Sequence, residues 1–182
     1  TFAVDHALKT LDTDYVLWLD ADTYTFRSIT TEFVTGLLPK EKLVNYLGRG
    51  GKYPECGWVC YNRNHPKISE FMQYWTKLYI NDTIFRELEW HDSYLFWQCV
   101  KRIAPDDGVD IGKGAGAKGH HVFINSVLGA YVDHMKGKRK VLGKSSKSDL
   151  RGDRNEDYWK NVENYDPFGG VKFDPKQSCL LY

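Results

Sequence analysis

DYVLWLDADTYTF, residues 14–26, sets an apolar run, Tyr15 to Leu19, directly against two aspartates one residue apart, Asp20 and Asp22. A β-compatible run that is apolar throughout, rather than alternating, is the pattern of a strand covered on both faces in an α/β sheet. In extended backbone the side chains at i and i+2 share a side, so both carboxylates can face one object while Ala21 points away. Two carboxylates suit a cation. Mg²⁺ and Mn²⁺ are commonly held by one or two carboxylates and keep open positions for phosphate oxygens.

The flanking pattern extends this strand into an alternating series. Phe2, Ala3, His6, Ala7 and Leu11 fall roughly on one helical face and stop at the break Asp12-Thr13-Asp14. Ser28 or Thr30 can cap a short helix that ends before Pro39. Residues 42–47 and 57–61 read as strands on either side of the glycine-rich loop GRGGKYPE. Pro66 sits at a helix start whose stripe is Ile68, Phe71, Met72, Trp75, Leu78 and Tyr79. A further helix is predicted over about 91–103, with Asp92 at its N-terminus as a good N-cap. A loop follows over 105–119 by composition, then an apolar strand or short helix over 122–132. The polar remainder holds Trp159 and Phe168 as isolated anchors. Strands alternating with helices predict a mainly parallel sheet flanked by helices, in which ligands bind beyond the carboxyl ends of the strands. Asp20 and Asp22 stand at such an end.

Composition agrees with one globular domain: 182 residues, 42% hydrophobic and 15% aromatic, supply a sizeable core. No apolar run reaches the ~18 to 20 residues of a membrane span, and no charged-then-apolar leader is present. Cys56, Cys60, Cys99 and Cys179 show no CxxC pairing, which points to buried reduced thiols and a cytoplasmic protein rather than a zinc site or disulfide framework. The Asn81-Asp82-Thr83 sequon is accordingly read as coincidental. Net charge is +1, but acids outnumber bases up to residue 135 and bases outnumber acids beyond it. The basic segment from Lys136 to Arg154 is either a solvated tail or a polyphosphate-facing surface. Without interleaved aromatics it does not read as a nucleic-acid surface.

The strand-terminal Asp20-Ala21-Asp22 resembles the DxD motif of metal-dependent, nucleotide-sugar-using glycosyltransferases of the GT-A fold. A second match lies downstream in DHMKGKRK, residues 133–140: His134, Gly137 and Lys140 resemble the H-x-x-G-x-x-K pattern that closes the catalytic region of glycosyltransferase family 8. That resemblance implies that Asp20, Asp22 and His134 hold Mn²⁺ (or Mg²⁺), while Gly137 and Lys140, with Lys138 or Arg139, meet the donor diphosphate. The chemistry is consistent: imidazole favours Mn²⁺ over Mg²⁺, glycine lets backbone approach phosphate, and lysine supplies a point charge.

Two further stretches extend the resemblance. EWHDSYLFW, residues 89–97, places Asp92 like the acidic residue of the family 8 "DQ" segment. It is also similar to the W-H-D segment of family 6, but has Ser93 where that family carries its proposed nucleophilic Glu. ECGWVCYN, residues 55–62, resembles the family 8 segment that shapes the sugar pocket, with Glu55-Cys56 in place of the more usual Asn-Ala. Glu55, Cys56, Gly57, Trp90 and His91 are thereby implied as pocket residues and Asp92 as the catalytic residue, orienting acceptor or donor sugar.

The resemblance covers residues 1–143 and leaves 144–182 as a polar, basic extension. The expected fold is GT-A-like without its N-terminal nucleotide-binding βαβ portion, since the chain begins at Thr1 and only 19 residues precede Asp20. The implied activity is hexose transfer from a nucleotide-sugar donor to a glycan or other hydroxyl acceptor. Family 8 resemblance implies retention, whereas Asp92 acting as general base would give inversion. Two alternatives stand beside it. One is a degenerate, non-catalytic domain that binds sugar or a partner. The other is a DxD phosphohydrolase, whose D-x-D-x-T motif requires Thr where Tyr24 stands.

Overall fold

The computed structural model describes residues 1–113, 115–116, 121–143 and 145–149. Trp159, Phe168, Cys179 and nearly all of the basic extension lie outside the described residues. Helix α1 spans Phe2–Thr10, strand β1 Tyr15–Leu19, strand β2 Thr23–Thr25 and helix α2 Thr31–Gly36. Strands β3, Val44–Leu47, and β4, Glu55–Asn62, precede the helices α3, Ile68–Ile80, and α4, Asp92–Ile103. Strand β5, Gly108–Asp110, helix α5, Val122–Asn125, strand β6, Val132–His134, and helix α6, Lys138–Leu142, complete the series.

The class is mixed α/β, and the sheet is mostly antiparallel where the alternation of elements predicted a mainly parallel one. Its order is β1-β4-β3-β5, with β1–β4 and β3–β4 antiparallel and β3–β5 parallel. The physical reason lies in the connections. The short Gly48–Pro54 loop between β3 and β4 can close only an antiparallel pair, because a parallel crossover needs a dozen or more residues. The long α3–α4 excursion supplies that crossover for β3 and β5. Among the described residues β1 is an edge strand, with Val16 buried but Trp18 36% exposed. The double covering predicted for β1 belongs instead to β3 and β4, where seven of eight β4 residues are buried.

Two apolar clusters occupy the two faces. Val4, Leu8, Val16, Val44, Tyr46, Val59 and Tyr61 pack with α3 and α4 on one face. Leu47, Trp58, Phe123, Leu128 and Val132, joined by Leu17 and Leu19, form the other. The alternation within β1 assigns Val16 to the first cluster and Leu17 to the second. The α3 stripe enters the first cluster as the period of 3.6 requires, through Phe71, Met72, Trp75 and Leu78. Between the sheet's central strands, buried Asn45 accepts from Trp58 Nε1 at 3.2 Å and from the Cys60 amide at 3.1 Å, and donates to the Leu37 carbonyl. Its polar atoms are therefore matched within the core.

Helix starts are close to expectation, with one correction. Thr30 caps α2 by accepting from the Phe33 amide at 3.2 Å. At α4 the capping residue is His91, not Asp92. His91 Nδ1 accepts from the Tyr94 amide at 3.2 Å, and Asp92 is the first helical residue, its carboxylate accepting from the Ser93 amide. An acid in the first turn still complements the helix dipole. Within the predicted loop 105–119, residues 108–110 form β5, because they complete a parallel ladder with β3. Cys56, Cys60 and Cys99 are buried free thiols, with burial pushing both Cys56 and Cys60 up to about 12. No helix among the described residues is long and apolar enough to cross a membrane.

Phe96 tests the helical face of the core. It is fully buried and its ring lies 5.6–6.4 Å from those of Tyr46, Tyr61, Phe71 and Trp75. Phe96→Ala is expected to cost about 3–5 kcal/mol of unfolding free energy, measured by denaturant titration.

Candidate metal centre

The register of a second sheet builds the site. Strands β2 and β6 form a two-stranded antiparallel ribbon in which Thr23 faces His134, Tyr24 faces Asp133 and Thr25 faces Val132. The Met135 amide donates to the Asp22 carbonyl at 2.7 Å and extends the ladder by one step. Asp22 and His134 are thereby set side by side although most of the chain separates them. Strand β2 itself was not predicted, since Thr23-Tyr24-Thr25 is too short to announce a strand without its partner.

Asp20 to Thr23 is a turn, not the extended backbone expected from the i, i+2 argument. The Thr23 amide and hydroxyl both donate to the Asp20 carbonyl, at 3.0 and 2.9 Å. The carboxylates nevertheless converge. His134 Nε2 lies 2.8 Å from Asp22 Oδ1 and 3.5 Å from Asp20 Oδ2. One ligand atom from each of the three residues can be chosen so that all lie within 4.8 Å of one another. Trp18 Nε1 donates to the other Asp20 oxygen at 3.0 Å and fixes that carboxylate from the strand side.

His134 is held from several directions. It is 1% exposed, with its ring 5.6 Å from that of Phe123. Its amide donates to Asp133 Oδ1 at 2.7 Å, and its carbonyl accepts from Arg139 Nε at 3.0 Å. The buried Asp133 also accepts from the Ser145 hydroxyl at 2.6 Å, and Arg139 pairs with Asp149 at 3.1 Å. Packing around the site therefore continues past Gly143 to Asp149. His121 Nε2 stands 3.3 Å from the His134 carbonyl, with burial and the Arg139 charge lowering its affinity for a second proton.

Gly57 is where the two halves of the site meet. Its carbonyl accepts from the Asp20 amide at 3.1 Å, and a Cβ built on it would lie 2.8 Å from His134 Nδ1. The absence of a side chain lets the imidazole lie against β4. Gly57 thus belongs with the histidine, whereas the sequence placed it in a sugar pocket. Glu55 has moved in the same sense: its Oε1 is 3.4 Å from His134 Nδ1, with Arg49 at 3.7 Å and Lys136 at 4.0 Å. Both residues reach this face because the β3–β4 register jumps between Tyr46 and Leu47, leaving Cys56–Trp58 outside that ladder. The jump sends Cys56 the other way, into the helical-face core beside Ser93.

The remaining predicted residues are distributed around this centre. Asp92 lies outside the cluster; with Trp18, Cys56 and Trp75 it lines a cavity of about 30 Å³. His91 meets Tyr53 edge-to-face at 4.5 Å, Tyr53 carries Arg49 over its ring at 4.8 Å, and His91 Nε2 reaches Glu89 at 2.7 Å. Trp90 is exposed beside Phe85, its Nε1 donating to the Glu87 carbonyl. Gly137 has φ +62° and ψ −128° at the start of α6, a conformation that only glycine adopts without strain. Lys140 Nζ is 3.0 Å from Asp22 Oδ2, and Lys138, two residues earlier in α6, is exposed. Arg139 faces the His134 carbonyl and Asp149, so of the two basic residues named beside Lys140 it is Lys138 that faces solvent.

The electrostatics are those of three carboxylates compensated by cations close to them. Burial alone would raise the Glu55 carboxyl, but its closeness to His134 and the charges of Lys136 and Arg49 hold it at about 2. Burial opposes charge on His134, yet Glu55 and Asp22 raise its pKa above the ordinary value. Burial would likewise raise Asp22, and Lys140 with His134 override it downward. Two carboxylates and one imidazole form a donor set that suits Mn²⁺. Neighbouring ligands on an octahedral ion with bonds of about 2.1 Å lie about 3 Å apart, which the separations of 2.8 and 3.5 Å bracket. The chemistry of this donor set therefore suits a divalent cation.

Sequence reasoning did not single out Trp18, Asp133, His121 or Ser145, nor the use that Glu55 and Gly57 find beside His134. Trp18 was within reach, since it shares the i, i+2 parity of Asp20. The others carry no local signal, because their partners come from distant segments. No protein-family model, curated protein or solved structure matches the chain.

Gly57→Ala is expected to displace the His134 ring and weaken divalent-cation binding with little change in helix content, read by calorimetry and circular dichroism. Stability should also follow pH in a defined sense. The depressed Glu55 carboxyl contributes stability above 4.5 that is lost as pH falls toward about 2. The raised His134 contributes stability below 6.5 that is lost as pH rises through its folded pKa. With chelator present, the cluster should stabilise the protein most between pH 4.5 and 6.5, and Glu55→Gln should flatten the acid limb of a melting-temperature profile.

Proposed function

We propose that this chain is the catalytic part of a GT-A-type, metal-dependent glycosyltransferase, most like family 8, that moves a hexose from a nucleotide-sugar to a hydroxyl acceptor. The observation that carries this reading is the convergence of Asp20, Asp22 and His134 on one small volume. The same three residues are those of the DxD and H-x-x-G-x-x-K resemblances. Gly137 and Lys140 then follow His134 directly around the rim, so both motifs open on one place.

In this reading Asp20, Asp22 and His134 hold the divalent cation. Once bound, it neutralises charge on the departing diphosphate. Trp18 and Gly57 keep the Asp20 carboxylate and backbone in place, so the ligands need little reorganisation. Lys140, exposed and adjacent to Asp22, adds positive charge where the diphosphate would lie, with Lys138 beside it. Gly137 gives the backbone its positive φ at that rim. Asp92 lines a small cavity together with Trp18, whose indole bonds Asp20, and in this reading it orients a sugar hydroxyl rather than binding the cation. Retention of anomeric configuration is part of the proposal through the family 8 resemblance.

Asp22→Asn should abolish Mn²⁺ binding, measured by calorimetry, while leaving the circular dichroism spectrum unchanged. Wild-type protein with a nucleotide-sugar panel should release nucleoside diphosphate in a Mn²⁺-dependent manner. Metal affinity that survives Asp22→Asn would sink the site assignment, and tight Mn²⁺ binding without turnover would favour the non-catalytic binding module.

A further inference from the structure

We propose that Glu55 is the positioning residue of this centre: its carboxylate holds the Nδ1 proton of His134, so that Nε2 is the nitrogen a cation would take beside Asp20 and Asp22. The inference rests on the metal-centre reading above and assigns a residue that neither motif contains.

The geometry divides the imidazole into two edges. Nε2 faces the two carboxylates at 2.8 and 3.5 Å, and Nδ1 faces Glu55 Oε1 at 3.4 Å. Nδ1 is buried without a well-aligned hydrogen-bond partner, and the Glu55 carboxylate stands beside it at 3.4 Å. A neutral imidazole carries one donor and one acceptor nitrogen. If Nδ1 kept the lone pair, it would oppose the Glu55 oxygens in a buried site, and Nε2 would carry the proton and could not ligate. In the cation-free site Nε2–H donates to Asp22 Oδ1 at 2.8 Å, so a cation taken up there would displace the Nε2 proton while the Nδ1 proton stays beside Glu55. A second partner on the far ring nitrogen is the usual way a ligating histidine is fixed in tautomer and plane.

Glu55 is itself built in. Its side chain is 13% exposed, and Arg49 and Lys136 approach its oxygens at 3.7 and 4.0 Å. Arg49 is tied in turn, through Nε to the Tyr53 carbonyl at 2.9 Å. Gly57, two residues on, provides the space in which Nδ1 and Cε1 of the ring approach β4. Strand irregularity thus sets both the room for the histidine and the acceptor behind it. A residue enclosed by three basic groups has little free surface for a sugar hydroxyl, the role that motif position alone would give it.

The test uses the full chain and Mn²⁺ alone, with affinity read by calorimetry. Glu55→Ala is expected to weaken binding by about 10- to 100-fold, whereas Glu55→Gln, which keeps an acceptor oxygen, should remain close to wild type. A ¹⁵N spectrum of the Mg²⁺-loaded protein, which needs no substitution at Glu55, should show His134 protonated at Nδ1. Unchanged affinity in Glu55→Ala, equal losses in both variants, or a proton found on Nε2 would each overturn the proposal. Loss of binding in Asp22→Asn but not in Glu55→Ala would sink Glu55 alone. Binding that survives Asp22→Asn removes the centre itself and the proposal with it.

Discussion

The pairing of Thr23 with His134 is the constraint on which the rest of the site depends. It is a short ribbon, three residues on each side, yet a slip of one residue would turn His134 away from Asp22 and expose it. The register is secured from outside the ribbon. Val132 is buried in the second core cluster, Asp133 is bonded to Ser145, and the His134 carbonyl is held by Arg139. Apolar burial on one side and matched polar groups on the other leave the ribbon one low-energy register.

A second consequence concerns charge. Asp20, Asp22 and Glu55 surround one imidazole, and bringing carboxylates together is unfavourable unless cations compensate. Lys140 contacts Asp22, and Arg49 and Lys136 approach Glu55, so the compensation comes from groups at the rim as well as from His134. Lys140 and Lys136 are more than half exposed and belong to the segment that begins the basic part of the chain. That segment therefore has an electrostatic task at the site, in addition to whatever it offers a polyphosphate ligand.

Much of the local structure was legible. The apolar run Tyr15–Leu19 is β1 to the residue, the 3.6-period stripe of α3 faces the core, and Thr30 caps α2. The paired aspartates at the strand end and His134 could be named from residue chemistry and motif resemblance. What misled was treating strands that alternate with helices as evidence for parallel pairing, when β3 and β4 follow one another through a loop alone. β4 is buried because helices and the β2–β6 layer cover its two faces, a condition that antiparallel strands can also meet. Likewise Asp92 has the residue type of an N-cap, but His91 has the extended backbone and the accepting nitrogen.

Local periodicity, capping chemistry and turn composition act between residues a few positions apart, and these were readable along the chain: an α/β protein, its helices, and a carboxylate pair at a strand terminus. Strand order, the register jump in β4 and the approach of Glu55 and Gly57 to His134 depend on loop closure and on packing between segments far apart in sequence. A glutamate and a glycine in ECGWVCYN carry no mark of which histidine they will meet. Folding chooses it, because burying Val132 of β6 in the second core cluster brings the imidazole against the one β4 position without a side chain.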